Sequence, residues 1–427
     1  MARAADPVLA REAATAIVRV LRQAGHVAYF AGGCVRDELL SLRPTDFDVA
    51  TDAVPARVRE LFPKTAEVGA AFGVVLVYEK IGTERAVIEV ATFRSDGPYS
   101  DARRPDSVHF STPEEDAKRR DFTINALFLD PLLEPGTPGR VIDFVGGQQD
   151  LAARVIRAVG EPEKRLAEDH LRALRAVRFA ARLGFMIEPG TAAAISRHAA
   201  ELRGVSRERI GEEMRRMLLH PSAVCRMRAV ELIERLGLDA PVLQEEARGP
   251  GSLSAVVRQD ASTPIVGSVL AAWCIERMGA GGAGLDERQI AEVRARWRGA
   301  LCLSNEESTE FSDVLEIYSA FVRDWGMIGV ARRKRLAARA MFAQALGLLG
   351  AVDAAAAKRI SGEVKGLEAD GIGISPQPLV TGEDLIAMGL RPGPAFKRIL
   401  DGVTDAQLEG RVRTKAEAME LAGRMGV

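Results

Sequence analysis

At 427 residues the chain is longer than one ordinary hydrophobic core organises, so two to four domains are expected. Its 47% hydrophobic content excludes a disordered chain, and its 5% aromatic content argues against nucleic-acid binding by many stacked bases. A formal net charge of −1 excludes a polycation, so any RNA-facing surface must be a local patch. The cysteines, Cys34, Cys225, Cys274 and Cys302, form no C-x-x-C pair. That argues against a zinc knuckle and a disulfide framework, and suits a reducing compartment.

The first 21 residues carry charges within their apolar part and read as an amphipathic helix rather than a signal peptide. Apolar runs such as Val269–Ile275 are too short to span a bilayer. A soluble cytoplasmic protein with no membrane partner is expected. Within residues 1–150, helix signals mix with short β-type runs at Val27–Phe30, Phe47–Ala50, Gly73–Tyr78 and Ala86–Phe93. A further apolar run, Ala126–Leu129, and a short strand at Val141–Phe144 follow. After Asp150 strand signals fade, and Arg154–Leu219 has helical spacing punctuated at Pro189–Gly190 and His220–Pro221. Residues 151–220 hold fourteen Lys/Arg against nine Asp/Glu, a local positive excess that suits RNA. From about residue 225 the chain reads as helices joined by polar turns. Gly279–Gly284 is a linker, and a helix starts after Gly389–Pro394 with proline in its first turn.

The most informative segment is Phe30-Ala-Gly-Gly-Cys-Val-Arg-Asp37, followed by Thr45-Asp-Phe-Asp-Val-Ala-Thr51. On a strand, Asp46 and Asp48 share a face while Phe47 points into the core. Two adjacent carboxylates are costly without a cation, and hard oxygen ligands suit Mg2+, which fills its shell with water and phosphate. Gly32 and Gly33 let the backbone approach a triphosphate. Arg36 and Asp37 open a helix whose amides favour anions, with Arg36 near the same phosphates. Glu89, in Val87–Phe93, is a candidate third carboxylate; it reads equally as an exposed strand residue or a partner of Arg94.

Two more charged motifs follow. Arg119-Arg-Asp-Phe-Thr-Ile-Asn125 reads by itself as a helix cap and a solvated charge run. In Arg165-Leu-Ala-Glu-Asp-His-Leu-Arg-Ala-Leu-Arg175, a helix would make Asp169 and Arg172 neighbours. Asp accepts and Arg donates. Cytosine and adenine present an amino donor beside a ring-nitrogen acceptor; guanine and uracil present the reverse. Such a pair would accept C and A and repel G and U. On the residues alone, an ordinary i,i+3 salt bridge is the favoured reading.

Gly-Gly-x-x-Arg-Asp followed by Asp-Phe-Asp resembles the nucleotidyltransferase head of the DNA polymerase β superfamily. The match is closest to its class II branch, which holds bacterial CCA-adding enzymes and poly(A) polymerases. Motif order and spacing agree over about residues 27–215, and Gly382–Lys415 is similar to the bacterial tail. The resemblance implies an α+β fold: a mixed-sheet catalytic head (1–150), then all-α neck (151–224), body (225–360) and tail (361–427). It implies metal ligation by Asp46 and Asp48 and two-metal transfer onto an RNA 3′-hydroxyl. It implies ribose selection by Asp121 and Asn125, with Arg120 on phosphate or at the helix start. It turns Asp169 and Arg172 into the base-reading pair, oriented by Glu168, with Arg175 and Arg178 meeting triphosphate or RNA backbone. His170 is expected on the helix surface, and Arg209 and Glu213 as a helix-stabilising i,i+4 pair. Asp143-Phe-Val-Gly-Gly147 resembles the head–neck hinge.

The implied partners are tRNA, CTP and ATP, with no DNA. Within the branch, Gly69-Ala-Ala-Phe-Gly-Val-Val75 lacks the basic pair of poly(A) polymerases, which favours CCA addition. Tyr99–Glu115 is similar to the loop needed for A addition, which disfavours a CC-only enzyme. Poly(A) synthesis and A-only addition are the alternatives, with a non-catalytic RNA-binding protein as a remote one. No His-Asp pair marks the phosphohydrolase domain of some relatives.

Overall fold

The computed structural model describes residues 6–67, 73–82, 84–97, 107–137, 140–246, 264–279 and 283–426. The segment Gly69–Val75, used above to separate CCA from poly(A) addition, lies largely outside these residues, as do the first part of Tyr99–Glu115 and the middle of Gly279–Gly284. The chain folds as two compact units. One is Met1–Glu213 with Arg235–Glu245; the other is Met214–Glu234 with Glu246–Val427.

In the first unit, α1 (Pro7–Gln23) starts where the Asp6 side chain accepts the Val8 N–H and Pro7 supplies a preset φ. Its apolar residues Ala10, Ala13, Ala14, Ile17, Val18 and Leu21 recur at helical spacing and are buried. They cover one face of a mixed sheet. The strands are β1 (Ala28–Ala31), β2 (Asp48–Thr51), β3 (Thr65–Glu67), β4 (Val74–Ile81) and β5 (Glu84–Thr92), with α2 (Gly33–Leu39) between β1 and β2 and α3 (Pro55–Leu61) between β2 and β3. A short hairpin, β6 (Arg94–Asp96) with β7 (Val108–Phe110), leads into α4 (Pro113–Lys118). Then β8 (Phe128–Leu129) and β9 (Val141–Ile142) complete the sheet in the order β3-β4-β5-β2-β1-β8-β9. Within this sheet, among the described residues, only β2 and β5 pair in parallel, through Val49–Val90, Ala50–Ala91 and Thr51–Thr92.

The second face of the sheet is closed near β1 and β8 by Tyr29, Phe93 and Phe128, with Phe93 and Phe128 edge to face at 5.7 Å. Towards β4 and β5 that face is more open.

Beyond the sheet come α5 (Gly147–Ala153), β10 (Val155–Ile156), α6 (Pro162–Glu168), α7 (Arg172–Leu183), β11 (Met186–Ile187), α8 (Pro189–Arg197) and α9 (Arg207–Leu218). The fading of strand signals after Asp150 misses one feature: β10 and β11 pair in parallel. Two-residue strands carry too little alternation to be legible. Helix α7 ends at Gly184, whose φ of +70° suits a residue without Cβ.

The second unit is helical among its described residues, as expected from about residue 225. One core packs Trp273, Trp297 and Phe311, the last two stacked at 5.3 Å. A second packs Val380, Leu385, Ile399, Val403, Ala406 and Ala418. Pro394 opens the helix Pro394–Leu408, as its position after Gly389–Gly393 predicts. No single described helix is long and apolar enough to cross a membrane, and all four cysteines are free thiols.

The Gly146–Gly147 pair has a packing role. Asp143 accepts the N–H groups of Val145, Gly146, Gly147 and Gln148, which caps α5. A Cβ on Gly147 would sit 2.2 Å from the Thr123 carbonyl oxygen. Gly147→Ala is therefore expected to lower the unfolding free energy by about 1–3 kcal/mol. Gly204→Ala, whose Cβ meets nothing within 4 Å, should shift it by less than about 0.5 kcal/mol. Urea melts of the two variants beside the parent check this contrast.

Candidate active site

A cleft of about 570 Å³ in the first unit is lined by Gly32, Gly33, Arg36, Thr45, Asp46, Asp48, Arg119, Arg120, Asp121, Asn125, Asp169, Arg172, Arg175, Phe179 and Arg182. It thus joins eleven of the thirteen residues expected to act on metal or nucleotide. The other two, Glu89 and Arg178, lie elsewhere.

The carboxylate pair sits where β1 passes into α2 and β2 begins. Asp48 is the first residue of β2 and pairs with Ala31, but Asp46 lies in the preceding loop rather than on the strand. The expected common strand face is corrected accordingly; the loop still delivers both carboxylates to the cleft, with Phe47 buried between them against Phe30 at 5.3 Å. Burial, then Asp46, then Glu89 push the Asp48 carboxyl up to about 7, although Arg120 pulls the other way. Glu89 stands one residue before Val90, the partner of Val49, so it flanks Asp48 across the sheet. It is exposed, and Arg94 pairs with Asp96 instead. Beneath the pair, burial and then Asp48 push the Cys34 thiol up to about 12, which favours its protonated form.

Gly32 caps α2 with φ +74°, and a Cβ there would come within 2.9 Å of Arg120 Nη1. The positive φ favours glycine at this turn, and a side chain there would also displace the Arg120 guanidinium.

The arginines are held from behind by acids. Asp37, buried, takes Arg36 at 2.7 Å and Arg182 at 2.9 Å. Arg36 also donates to Asn125 Oδ1 at 2.6 Å and lies over Phe179. It is buried and forms part of the cleft floor. Asp116 takes Arg119 at 2.6 Å and Arg120 at 2.9 Å. Arg120 also donates to the Asn125 carbonyl at 3.0 Å, so it fastens the chain behind the cleft. Burial pushes the Asp116 carboxyl up, but Arg120 and Arg119 outweigh it and leave it below the usual range. Asp121 takes Arg175 at 2.9 and 2.7 Å and accepts from Asn125 Nδ2 at 3.1 Å.

The third motif departs from the sequence reading. Asp169 and Arg172 do not share a helix: α6 ends at Glu168, Asp169 is extended (φ −156°, ψ 103°), and α7 begins at Arg172. They form no ion pair with each other. Arg172 pairs with Glu168 and donates to the Arg165 carbonyl at 2.7 Å. Asp169 accepts from Arg209 at 2.6 Å and from the Leu171 N–H at 3.1 Å. Two separate supports therefore hold an acceptor and a donor side by side without letting them neutralise each other. His170 lies in this helix break, 6.3 Å from His198, rather than on a helix surface.

Arg209 and Glu213 are not the i,i+4 pair expected. Arg209 reaches Asp169, and Glu213 reaches Arg178 at 2.6 Å. Arg178 also lies over Phe179 at 4.4 Å and is outside the cleft lining.

Sequence reading missed Arg119, Phe179 and Arg182 as lining residues and Asp37 and Asp116 as anchors. Asp116 precedes Arg119 and Arg120 by three and four residues, and Arg175 and Arg182 are seven apart on α7, so both signals were legible. The Asp37–Arg182 bridge joins residues 145 apart and had no local signature.

The ion pairs imply a pH dependence. Burial raises the Asp121 carboxyl, but Arg175 and Asn125 overcome it and hold it at about 2. A carboxyl lowered by folding contributes stability that is complete above its ordinary value near 4 and is lost as pH falls through its folded value. Urea melts are expected to show stability declining between about pH 4 and pH 2, with Asp121→Asn, less stable at pH 7, declining less over that window. An equal decline would contradict the assignment.

Comparison with known proteins completes the picture. The "Poly A polymerase head domain" family model matches residues 28–157, and "Probable RNA and SrmB- binding site of polymerase A" matches residues 184–246. A CCA-adding enzyme of Limosilactobacillus fermentum is 36% identical over 409 residues, covering 94% of this chain and 93% of its own. One of Geobacillus stearothermophilus is 46% identical over 228 residues, 53% of each chain. The crystal structure of the Bacillus stearothermophilus CCA-adding enzyme in complex with CTP aligns over 97% of both chains with 31% identity and TM-score 0.71.

Proposed function

The chain belongs to the CCA-adding enzyme family, and on that premise we propose that its cleft adds C, C and A to tRNA 3′ ends from CTP and ATP, with base choice made by protein side chains. The observation that carries this is the separate anchoring of Asp169 and Arg172 in a cleft that also contains Asp46 and Asp48.

The donor set fits a hard divalent ion, which we assign as Mg2+. Two carboxylate oxygen donors lie together, and Asp48 is held in a state that a cation would relieve. Asp46 and Asp48 would hold it, leaving the rest of an octahedral shell to water and phosphate. When bound, such ions activate the RNA 3′-hydroxyl and offset charge on the triphosphate.

The remaining work falls to the chain. Arg175 and Arg182 keep about a third of their side-chain surface open and are best placed to meet phosphate oxygens. Asn125 and Asp121 form the wall assigned to the ribose. The Asp169 carboxylate accepts from the exocyclic amino group of C or A, while Arg172 donates to the ring nitrogen. Guanine and uracil would set carbonyl against carboxylate and N–H against guanidinium, leaving buried polar groups unpaired.

The test is extension of tRNA transcripts ending at the discriminator base, at C and at CC, with Mg2+ and each nucleotide singly and mixed. Addition should stop after C, C and A. A long A ladder would indicate poly(A) synthesis, and A added only to CC-ending RNA would indicate an A-adding enzyme. Asp48→Ala should lower addition at least about 10³-fold with folding and RNA binding retained; an active variant would overturn the metal assignment. Asp169→Ala should relax choice among the four nucleotides more than it weakens triphosphate affinity. Unchanged selectivity would sink the protein-template reading.

A further inference from the structure

Sheet order and register define a track on the far side of the carboxylate pair. Strand β2 lies between β1 and β5. The nucleotide cleft occupies the β1–α2 side, through Gly32, Gly33 and Arg36. On the other side the sheet continues to Glu89, opposite Leu76, and to Val87, opposite Tyr78. Side chains paired across a sheet project from the same face, and residues two apart share it. Leu76, Tyr78, Val87 and Glu89 therefore lie on one face, continuous with Asp48. Val75, Val77, Ile88 and Val90 are buried on the other.

That face is open: Tyr78 is 38% exposed and Val87 50%. Two residues further along, Lys80 pairs directly with Arg85. Both are exposed and neither has an acidic partner among the described residues. Glu79 and Glu84 fall on the opposite face by strand alternation. Like charges directly opposite each other destabilise a strand pair, so an anion covering them is the favourable arrangement. Moving away from the metal-binding carboxylates, the face runs acidic, then apolar and aromatic, then doubly positive.

We propose that this β4–β5 face receives the RNA 3′ end, with the terminal nucleotide against Tyr78 and Val87 and the preceding phosphates at Lys80 and Arg85. The inference rests on the nucleotidyl-transfer reading above. In-line displacement puts the attacking hydroxyl opposite the leaving pyrophosphate. With the triphosphate on the β1 side of Asp46 and Asp48, the hydroxyl must arrive from the β5 side. A single-stranded RNA end offers what the track complements: a flat base for an aromatic ring and phosphates for two cations.

The test uses the full chain and a tRNA transcript ending in CC whose last nucleotide is 5-iodocytidine. Irradiation without nucleotides, followed by peptide mapping, should place the crosslink within Val74–Thr92, at or beside Tyr78. Tyr78→Ala and Lys80→Glu/Arg85→Glu should each raise the KM for CC-ending tRNA about tenfold while the KM for ATP stays within twofold. Crosslinks confined to other segments, or an RNA KM within twofold of the parent in both variants, would overturn the track. Failure of the underlying functional reading looks different: the parent would add no nucleotide, while the crosslink would still report where the RNA end lies.

Discussion

Arginine has a long side chain with many rotamers, and its use in a binding site depends on losing that freedom before the ligand arrives. Six arginines line this cleft, and every one is tied to an acid at its back. Asp37 holds Arg36 and Arg182, Asp116 holds Arg119 and Arg120, Asp121 holds Arg175, and Glu168 holds Arg172. Asp37, Asp116 and Asp121 are buried. An isolated buried carboxylate is costly, and so is a cluster of guanidinium groups; pairing offsets part of each penalty. Four acids thus fix six guanidinium groups, while Asp46 and Asp48 add negative charge at the other end of the cleft. On the proposed function, a triphosphate would meet donors already held in place, with little ordering entropy left to lose on binding.

On the proposed function, the same principle sets base choice. Had Asp169 and Arg172 paired with each other, their hydrogen-bonding capacity would be spent inside the protein. The break between α6 and α7 turns Asp169 toward Arg209 on α9, while Glu168 holds Arg172 with the help of the Arg165 carbonyl. The distance between acceptor and donor is thus set by the packing of three helices. Arg165 extends the scaffold by donating to the Lys118 and Arg119 carbonyls at the end of α4, which links the Glu168–Arg172 segment to the arginines beside it.

Much of this was legible in the chain. The glycine turn, the Asp-x-Asp pair and the charged motifs each named cleft residues because their chemistry is local: a turn, two neighbouring carboxylates, a run of donors. The helical pattern after residue 150 and the amphipathic α1 followed from apolar spacing alone. What failed was partner choice. Helical spacing makes Asp169–Arg172 and Arg209–Glu213 look like pairs, yet tertiary packing breaks one helix and turns the other pair outward to Asp169 and Arg178. Arg36 lines the cleft, but its hold by Asn125 and Asp37 had no signature in the spacing. These outcomes depend on contacts between residues far apart in the chain, which spacing does not encode.

On the proposed function, outer supports, rather than the lining residues alone, make the Asp169–Arg172 pair selective. Equilibrium binding of CTP, ATP, GTP and UTP to the parent and to Arg209→Ala tests it most directly, since Arg209 holds Asp169 from outside the cleft lining. The account predicts that the preference for CTP and ATP over UTP and GTP narrows about tenfold, while affinity for the favoured nucleotides changes only a few-fold. An unchanged ranking in a folded Arg209→Ala protein would contradict it.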